Sequence, residues 1–245
     1  MQNGEINPIL ECEYVVRFDD MDNERKLSNI ALLKYLEEPG GVQTKQIFGS
    51  MITPKGVWIL LGWRVKKLKE ITWNEKFRIK TWPAKNNGLY SIRNFELYNE
   101  NNELATIAST KWVLVDQITK KVVRDTSDIL SKYPEYNKML FEDDFPKLKE
   151  PQNIEYTYKH TVQRRDIDVN GHVNNVTYLE IAYEAIPKDV YDNYNFKNIE
   201  IVYKHSAFLG ENLDVGYVRE SIDGKEQFTI AIKTGDKINA IIRLK

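Results

Sequence analysis

The chain has 245 residues, and its 35 lysines and arginines nearly balance its 36 aspartates and glutamates, which leaves a formal net charge of −1. This balance argues against a protein that binds nucleic acid or an anionic membrane through its overall charge. No apolar run approaches the ~18 residues of a membrane span, and the first residues lack a signal-peptide pattern, so a cytoplasmic protein is predicted. Cys12 is the single cysteine, which excludes a disulfide framework.

The first half of the chain predicts one helix and five strands. Residues 13–18 form the first predicted strand, and the helix is expected from Leu27 to about Phe48, bent or interrupted at Pro39 and the following glycines. The remaining strands are predicted at about 57–69, 76–82, 90–98 and 104–116. Residues 1–116 are therefore expected to form one α+β domain.

The second half repeats this order after a charged, proline-containing segment. Residues 117–153 are interpreted as the connection between domains, part of which is expected to pack as a short helix. A strand is then predicted at about 155–163 and a helix from Val173 to about Pro187. The last strands are expected at about 199–208, 212–219, 227–233 and 238–243. Residues 154–245 are therefore expected to form the second domain.

An internal duplication relates the two halves. Residues 14–38 align with residues 160–184 without a gap, at a constant offset of 146. The identical pairs are Val16/Val162, Asp20/Asp166, Asp22/Asp168, Asn29/Asn175, Leu33/Leu179 and Glu38/Glu184. A period of this length predicts two copies of one domain, because the repeats of a solenoid are far shorter.

The most informative stretch, residues 164–178, lies in the second copy. Asp168, Asn170 and His172 occupy alternate positions there, so in an extended segment their side chains project from one face. The first copy carries Glu24 in place of Asn170 and Lys26 in place of His172. We therefore expect a single active site for each chain, in the second copy.

Two other interpretations of this stretch were weighed. The residues from Asp166 to Gly171 match the start of an EF-hand, but the twelfth position is Thr177 and the preceding element is predicted to be a strand. In a purely structural interpretation, Asp168 and Asn170 cap the following helix. Capping explains one of these residues and leaves His172 unexplained. The three histidines are scattered, so no metal site is predicted.

The pattern D-x-D-x-N-x-H-V-N-N-x-x-Y over residues 166–178, with Pro187 after the predicted helix, resembles the acyl-acyl carrier protein (acyl-ACP) thioesterases. Weaker matches in the expected order are Thr81-Trp82-Pro83, Arg93-x-Phe95 and Ala108-Ser109-Thr110-Lys111-Trp112 with Asp116. The resemblance implies two fused hot-dog domains, each a long helix wrapped by an antiparallel sheet.

The same resemblance implies hydrolysis of acyl-ACP to a free fatty acid and holo-carrier protein, which terminates fatty acid synthesis without a cofactor. The partner is then a carrier protein bearing an acyl-phosphopantetheine arm. Two alternatives stay open: an acyl-CoA thioesterase of the same fold, and a non-catalytic protein that binds acyl ligands. A monomer that acts as a pseudo-dimer is expected, with a homodimer as the other assembly.

The chemistry of the three side chains suggests a role for each. His172 is expected to transfer the proton, Asn170 to position the water or the carbonyl, and Asp168 to orient His172 or the water. An acyl-Asp168 intermediate is a further alternative. The backbone N–H groups of His172 and Val173, at the predicted start of the helix, are expected to stabilise the developing oxyanion.

The sequence departs from the family on the strand after the helix. The family usually carries Glu followed by Cys or a small residue, and this chain has Ser206 followed by Ala207. The change removes a cysteine nucleophile and a carboxylate that helps to activate water. We expect a secondary role for Ser206 or His205, because no triad spacing accompanies the serine. His160, on a predicted strand, is expected to be a packed residue or a residue at the rim of the site.

The acyl chain is expected to lie between the helix and the sheet of the first domain. That domain is degenerate, since Glu24 and Lys26 replace the asparagine and the histidine, and it no longer needs catalytic groups. The aromatic and aliphatic candidates for its lining include Trp58, Leu60, Trp63 and Trp82. The family implies an acidic carrier protein, which a basic surface should receive. The basic candidates are Arg64, Lys66, Lys67, Lys69, Arg164 and Arg165.

Overall fold

The structure is a computed structural model that describes residues 7–84 and 89–245. The chain divides into two compact units. The first unit ends at Asp144 and excludes Gly62–Lys66, and the second unit contains Gly62–Lys66 and Phe145–Lys245. Within the described ranges, no helix combines the length and the apolar character that crossing a membrane requires.

The first unit is a helix packed on an antiparallel sheet. Its elements are β1 (Leu10–Val15), α1 (Asn29–Phe48), β2 (Val57–Lys67), β3 (Lys76–Ala84), β4 (Tyr90–Asn99), β5 (Leu104–Val115) and the short α2 (Ser127–Leu130). The strand order is β1-β3-β4-β5-β2. Helix α1 packs against β1 and β3, and its buried leucines supply much of the core on that face of the sheet.

Helix α1 is one continuous element of 20 residues. It begins after Ser28, whose side chain accepts a hydrogen bond from the Ala31 N–H, and it ends at Gly49 in the left-handed conformation. The expected start at Leu27 and the expected interruption at Pro39 are therefore wrong. Pro39 removes one backbone donor, and the burial of Leu32, Leu33 and Leu36 holds the helix on the sheet.

The second unit has the same organisation. Its elements are β6 (Glu155–Thr161), α3 (Thr177–Glu184), α4 (Lys188–Asn193), β7 (Asn198–Tyr203), β8 (Asn212–Ile222), β9 (Lys225–Thr234) and β10 (Lys237–Leu244). The strand order is β6-β8-β9-β10-β7, and Gly62–Lys66 of β2 pairs antiparallel with β7. Helix α3 packs against β9 and β10.

The two units share one topology, because β1 to β5 correspond in order to β6 to β10. The predicted α+β class and the duplication are thereby confirmed. The expected helix from Val173 to Pro187 is wrong at its start, since α3 begins at Thr177, and the expected strand 199–208 ends at Tyr203. Residues 173–176 and 204–208 instead form the loops that build the candidate site.

Candidate active site

A closed turn between β6 and α3 brings the three predicted side chains together. The Asp168 carboxylate accepts hydrogen bonds from the backbone N–H groups of Asn170 at 2.8 Å and His172 at 3.2 Å through Oδ1. Its Oδ2 accepts from the Asn170 side-chain amide at 3.2 Å. The Asp168 N–H donates to the His172 carbonyl at 2.8 Å, and Gly171 has a φ of +79°. Aspartate side chains commonly close turns in this way.

The first unit contains the same turn with different side chains. The Asp22 carboxylate accepts from the N–H groups of Glu24 at 2.9 Å and Lys26 at 3.0 Å. The Asp22 N–H donates to the Lys26 carbonyl at 2.8 Å, and Arg25 has a φ of +64°. The aspartate is therefore the scaffold of both loops. What distinguishes the second loop is the chemistry of Asn170 and His172.

The structure changes the role expected for Asp168. Its carboxylate binds the backbone and the Asn170 amide, and within the described ranges it makes no hydrogen bond to the His172 ring. The expectation that Asp168 directly orients the imidazole is therefore wrong. Asp168 holds the loop closed and places the two residues that follow it.

The oxyanion site expected at the backbone of His172 and Val173 is also wrong. The His172 N–H is engaged by the Asp168 carboxylate, and the Val173 N–H donates to the Ala207 carbonyl at 2.9 Å. Because α3 begins only at Thr177, neither group lies at the N-terminus of the helix. Side-chain donors at this loop include the Asn170 amide and, in one tautomer, a nitrogen of the His172 ring.

The His172 ring is half-buried and lies edge-on to Phe208, with the ring centroids 5.1 Å apart. No residue in the described part of the chain hydrogen-bonds to either ring nitrogen. A neutral imidazole has one ring nitrogen that can accept a proton from water. The packing against Phe208 limits the orientations of the ring.

Two tyrosines connect the end of β7 and the segment after it to α3 and to the loop before α3. The Tyr178 hydroxyl oxygen accepts from the Ala207 N–H at 3.0 Å, and the Tyr203 hydroxyl donates to the Asn175 carbonyl at 2.8 Å. Burial raises the pKa of Tyr178 to about 12, so this side chain stays neutral at physiological pH. The sequence patterns predicted neither tyrosine as a site residue, although Tyr178 is the last residue of the motif over residues 166–178.

Ser206 and His205 are exposed on this fixed segment. In the described part of the chain, the Ser206 hydroxyl makes no hydrogen bond to the side chains of Asp168, Asn170 or His172. His160 is mostly buried, as expected, and its Nε2 lies 2.7 Å from Asp166 Oδ2. The element before the loop is strand β6 and a 3-10 turn, Arg164–Asp166, so the helix that an EF-hand requires is missing here.

We expect Ser206→Ala to lower turnover by less than about tenfold, well short of the ~10²–10⁴-fold typical of a general acid–base group. Among the described residues, no histidine or carboxylate hydrogen-bonds to the exposed hydroxyl, which is the physical reason for the small effect. Steady-state rates of thiol release from the variant and the parent provide the measurement. Inactivation as severe as that of a His172 variant would assign Ser206 to the chemical step.

The four residues expected to contact the acyl chain lie in different environments. Leu60, Trp63 and Trp82 are buried, and Trp58 is partly buried against a cluster of Leu114, Ile129 and Tyr133. Phe77 of β3 contacts Tyr35 of α1, so the alternation along the strand places Trp82 on the opposite face. There its indole N–H donates to the Lys138 carbonyl at 2.9 Å. The expected position of Trp82 between helix and sheet is therefore wrong.

Three of the six basic candidates are paired with glutamates inside their own units. The pairs are Lys67 with Glu70, Arg64 with Glu200, and Lys69 with Glu103. Lys67 is also buried, with an exposed fraction of 8%, so it offers no surface charge. Arg164 and Arg165 are exposed on the 3-10 turn directly before the loop of residues 168–172.

The chain contains two copies of a helix packed on an antiparallel sheet, which defines a double hot-dog protein. The second copy carries an Asn–His pair on a loop that an aspartate closes. The chain belongs to the acyl-ACP thioesterase family. The family's N-terminal domain matches residues 9–133, and its C-terminal domain matches residues 148–244.

Individual relatives agree with this assignment. The chain is 27% identical over 171 residues to oleoyl-acyl carrier protein thioesterase 2, chloroplastic, of Arabidopsis thaliana, which covers 64% of this chain and 46% of that protein. It is 27% identical over 159 residues to palmitoyl-acyl carrier protein thioesterase, chloroplastic, of Cuphea hookeriana, covering 62% and 38%. The chain thus spans about half the length of the curated relatives it matches, or less.

Two solved structures share the fold over nearly the whole chain. The 12:0-ACP thioesterase from Umbellularia californica has a TM-score of 0.86 at 17% identity, covering 99% of this chain and 98% of that one. An acyl-ACP thioesterase from Bacteroides thetaiotaomicron has a TM-score of 0.75 at 19% identity, covering 97% of both chains. These similarities confirm the hot-dog fold.

Proposed function

We propose that this protein hydrolyses acyl-ACP thioesters to free fatty acid and holo-carrier protein, and so terminates fatty acid synthesis. One observation carries the proposal. Both units form the same aspartate-closed loop, and only the loop of the second unit holds an asparagine and a histidine, Asn170 and His172. Membership of the family and the thioesterase names of the relatives support the substrate class.

The reaction needs a proton acceptor and a donor for the carbonyl oxygen. Water attacks the thioester carbon while the His172 ring accepts a proton from the water, and the C–O bond forms. When the C–S bond breaks, the same ring returns the proton to the departing sulfur. The Asn170 amide donates to the developing oxyanion, and one such donor contributes ~3–4 kcal/mol at a well-placed site. The contribution of Asp168 is structural: its carboxylate holds the loop closed before the substrate reacts.

We also propose that three parts of the chain have different roles. Residues 1–116 bind the acyl chain, residues 117–153 connect the domains, and residues 154–245 carry out hydrolysis. The buried apolar face of α1 in the first unit supports the first assignment, since an acyl chain requires apolar surroundings.

The direct test is a thiol-release assay with the purified protein, comparing acyl-ACP with acyl-CoA over several chain lengths. Faster release from acyl-ACP supports the proposal, and faster release from acyl-CoA supports the alternative thioesterase. The exposed serine at position 206, in place of the family's glutamate, favours a non-catalytic acyl-binding protein as the second candidate. Tight acyl binding without any thiol release would establish that candidate instead.

A further prediction concerns the first unit. Exchanging Glu24→Asn together with Lys26→Ala should leave kcat on acyl-ACP unchanged. The Glu24 carboxylate is ion-paired with Lys26 and raises the pKa of the lysine, so the ammonium stays protonated and supplies no base. A glutamate also lacks the amide N–H that Asn170 provides. Single-turnover rates of the double variant test this expectation, and a large loss of the chemical rate would place catalytic groups in the first unit.

A further inference from the structure

Strand β10 contains a β-bulge that places one asparagine against the loop after β7, residues 204–208. The register between β9 and β10 shifts between Ile238 and Ala240 and passes over Asn239. The bulged asparagine is nevertheless buried, with an exposed fraction of 1%. Bulges re-aim side chains, and they are common next to active sites. The direction of the Asn239 amide is therefore a candidate functional feature of this unit.

The Asn239 amide links β9 to the loop after β7. Its Nδ2 donates to the His205 carbonyl at 3.2 Å, and its Oδ1 accepts from the Thr234 hydroxyl at 2.9 Å. Because a carbonyl oxygen can only accept, the nitrogen of the amide must face His205. The backbone carbonyl of Asn239 also accepts from the Lys204 N–H at 2.8 Å. Buried polar groups with satisfied hydrogen bonds rigidify their surroundings, so Asn239 holds the start of this loop in place.

The loop that Asn239 holds is in contact with His172 and its neighbour. The Ala207 carbonyl accepts from the backbone N–H that follows His172 in the chain, at 2.9 Å. The Phe208 ring packs edge-on against the His172 ring, with the ring centroids 5.1 Å apart. Both contacts come shortly after His205 in the chain, so a displacement of the His205 carbonyl is passed along the backbone to them. The orientation of the imidazole therefore depends on how firmly this loop is held.

The first unit has the same bulge without the amide. The register between β4 and β5 passes over Ala105, which is fully buried. Its carbonyl accepts from the Leu68 N–H at 2.8 Å, as the carbonyl of Asn239 accepts from the N–H of Lys204. An alanine side chain makes no hydrogen bond, so the fold forms this bulge without a polar side chain. The amide of Asn239 thus accompanies the Asn–His pair of the second unit and is not needed to form the bulge.

We propose that Asn239 is a positioning residue for thioester hydrolysis: its amide fixes residues 204–208, and this loop fixes the orientation of the His172 ring. The inference rests on the proposed function and adds a residue that acts on the chemistry through His172. The ring must present one nitrogen to the attacking water, and a misplacement of ~1 Å can cost ~10²-fold in rate. Support from neighbouring hydrogen-bonded residues is what holds such a group within the productive geometry.

The test is Asn239→Ala, which introduces the residue that the first unit carries at this position and so preserves the bulge. On acyl-ACP, kcat should fall about tenfold, a part of the ~10²-fold that a displacement of ~1 Å can cost. KM should stay at the parent value, because no contact with the substrate is lost. Thr234→Val removes the hydroxyl that donates to the amide and should lower kcat by a smaller factor. Steady-state rates of thiol release measure both variants.

Asn94→Ala is the matched control in the first unit. Asn94 is likewise a fully buried strand residue whose Nδ2 donates to a carbonyl, that of Lys138 at 3.0 Å, and whose Oδ1 accepts from a hydroxyl, that of Ser109 at 2.6 Å. It pairs with Trp82 between β3 and β4, so it lies on the face of the sheet away from α1. The control should lose thermal stability as Asn239→Ala does and should keep the parent kcat. An equal loss of kcat in the two alanine variants would overturn the positioning role.

A second readout does not depend on activity. The chain has three histidines, so the ring signals of His172 can be assigned in NMR spectra by comparison with variants that each lack one histidine. The neighbouring Phe208 ring shifts these signals, so Asn239→Ala should change them and Asn94→Ala should not. An unchanged His172 signal in Asn239→Ala would contradict the proposal. If the parent hydrolyses no thioester, the proposed function fails, and the His172 signal decides the positioning role separately.

Discussion

His172→Ala should lower the turnover of acyl-ACP by about 10²–10⁴-fold, the contribution typical of a general acid–base group. The variant removes the proton acceptor while it leaves the loop intact, because the hydrogen bonds that close the turn use the His172 backbone and not its ring. The melting temperature should therefore change little, apart from the lost contact with Phe208. Single-turnover thiol release and thermal unfolding measure the two effects.

Lys26→Ala is the matched control for this substitution. It removes the side chain at the corresponding position of the first unit and should leave the rate of thiol release at the parent value. A His172→Ala protein that retains more than about a tenth of the parent rate would remove the imidazole from the chemical step.

Asp168→Ala should reduce turnover by about 10²-fold, and Asp168→Asn by less than about tenfold. The alanine variant loses the acceptor of two backbone hydrogen bonds, so the loop opens and the Asn–His pair is misplaced, and a displacement of ~1 Å can cost ~10²-fold in rate. The asparagine variant keeps a side-chain oxygen that can accept both bonds. Rates of thiol release from the two variants provide the measurement.

The first unit again offers a matched control. Asp22→Ala removes the equivalent acceptor there, so it should destabilise the loop of the first unit by ~1 kcal/mol, as the loss of a capping side chain does. The rate of thiol release should not change. An Asp168→Asn variant as inactive as the alanine variant would show that the charge itself takes part, either as the base or as the nucleophile of an acyl-enzyme.

The sequence predicts the fold well because its signals repeat. The ungapped match between residues 14–38 and 160–184 contains the first strand and the start of the helix of each copy, so these elements are indicated twice. The alternation of apolar residues marks the strands. The three chemical side chains are also predicted together, since Asp168, Asn170 and His172 are adjacent in the chain. Their proximity depends on local backbone geometry, which the aspartate and the following glycine favour.

The start of α3 is mispredicted because helical spacing reports burial as well as conformation. Val173 and Val176 are buried, and so they continue the apolar pattern of the helix towards the loop. Val173, however, forms an isolated bridge with Ile167 and donates its N–H to Ala207. That acceptor is distant in the chain, so no local pattern reveals that the predicted oxyanion donor is already engaged.

The Trp82 assignment fails for a different reason. Phe77 and Ile79 alternate with Arg78 and Lys80 along β3, so the pattern itself places Trp82 on the charged face of the strand. The aromatic character of Trp82, taken alone, does not identify the face towards the helix. The structure identifies it through the contact between Phe77 and Tyr35, and covers Trp82 with Tyr136 and Lys138. These covering residues come from residues 117–153, the predicted connection, for which the sequence indicates a short helix but no contact with β3.

The left-handed residue of the two loops has a consequence for recognising distant relatives. Gly171 holds this position in the second unit, whereas Arg25 holds it in the first, even though a side chain there costs ~1–2 kcal/mol. A Cβ added at Gly171 would meet no atom within 4 Å. The turn is thus specified by the carboxylate that closes it and tolerates other residues at its fourth position. A search pattern for such loops should require the aspartate, the asparagine and the histidine, and should leave the glycine position open.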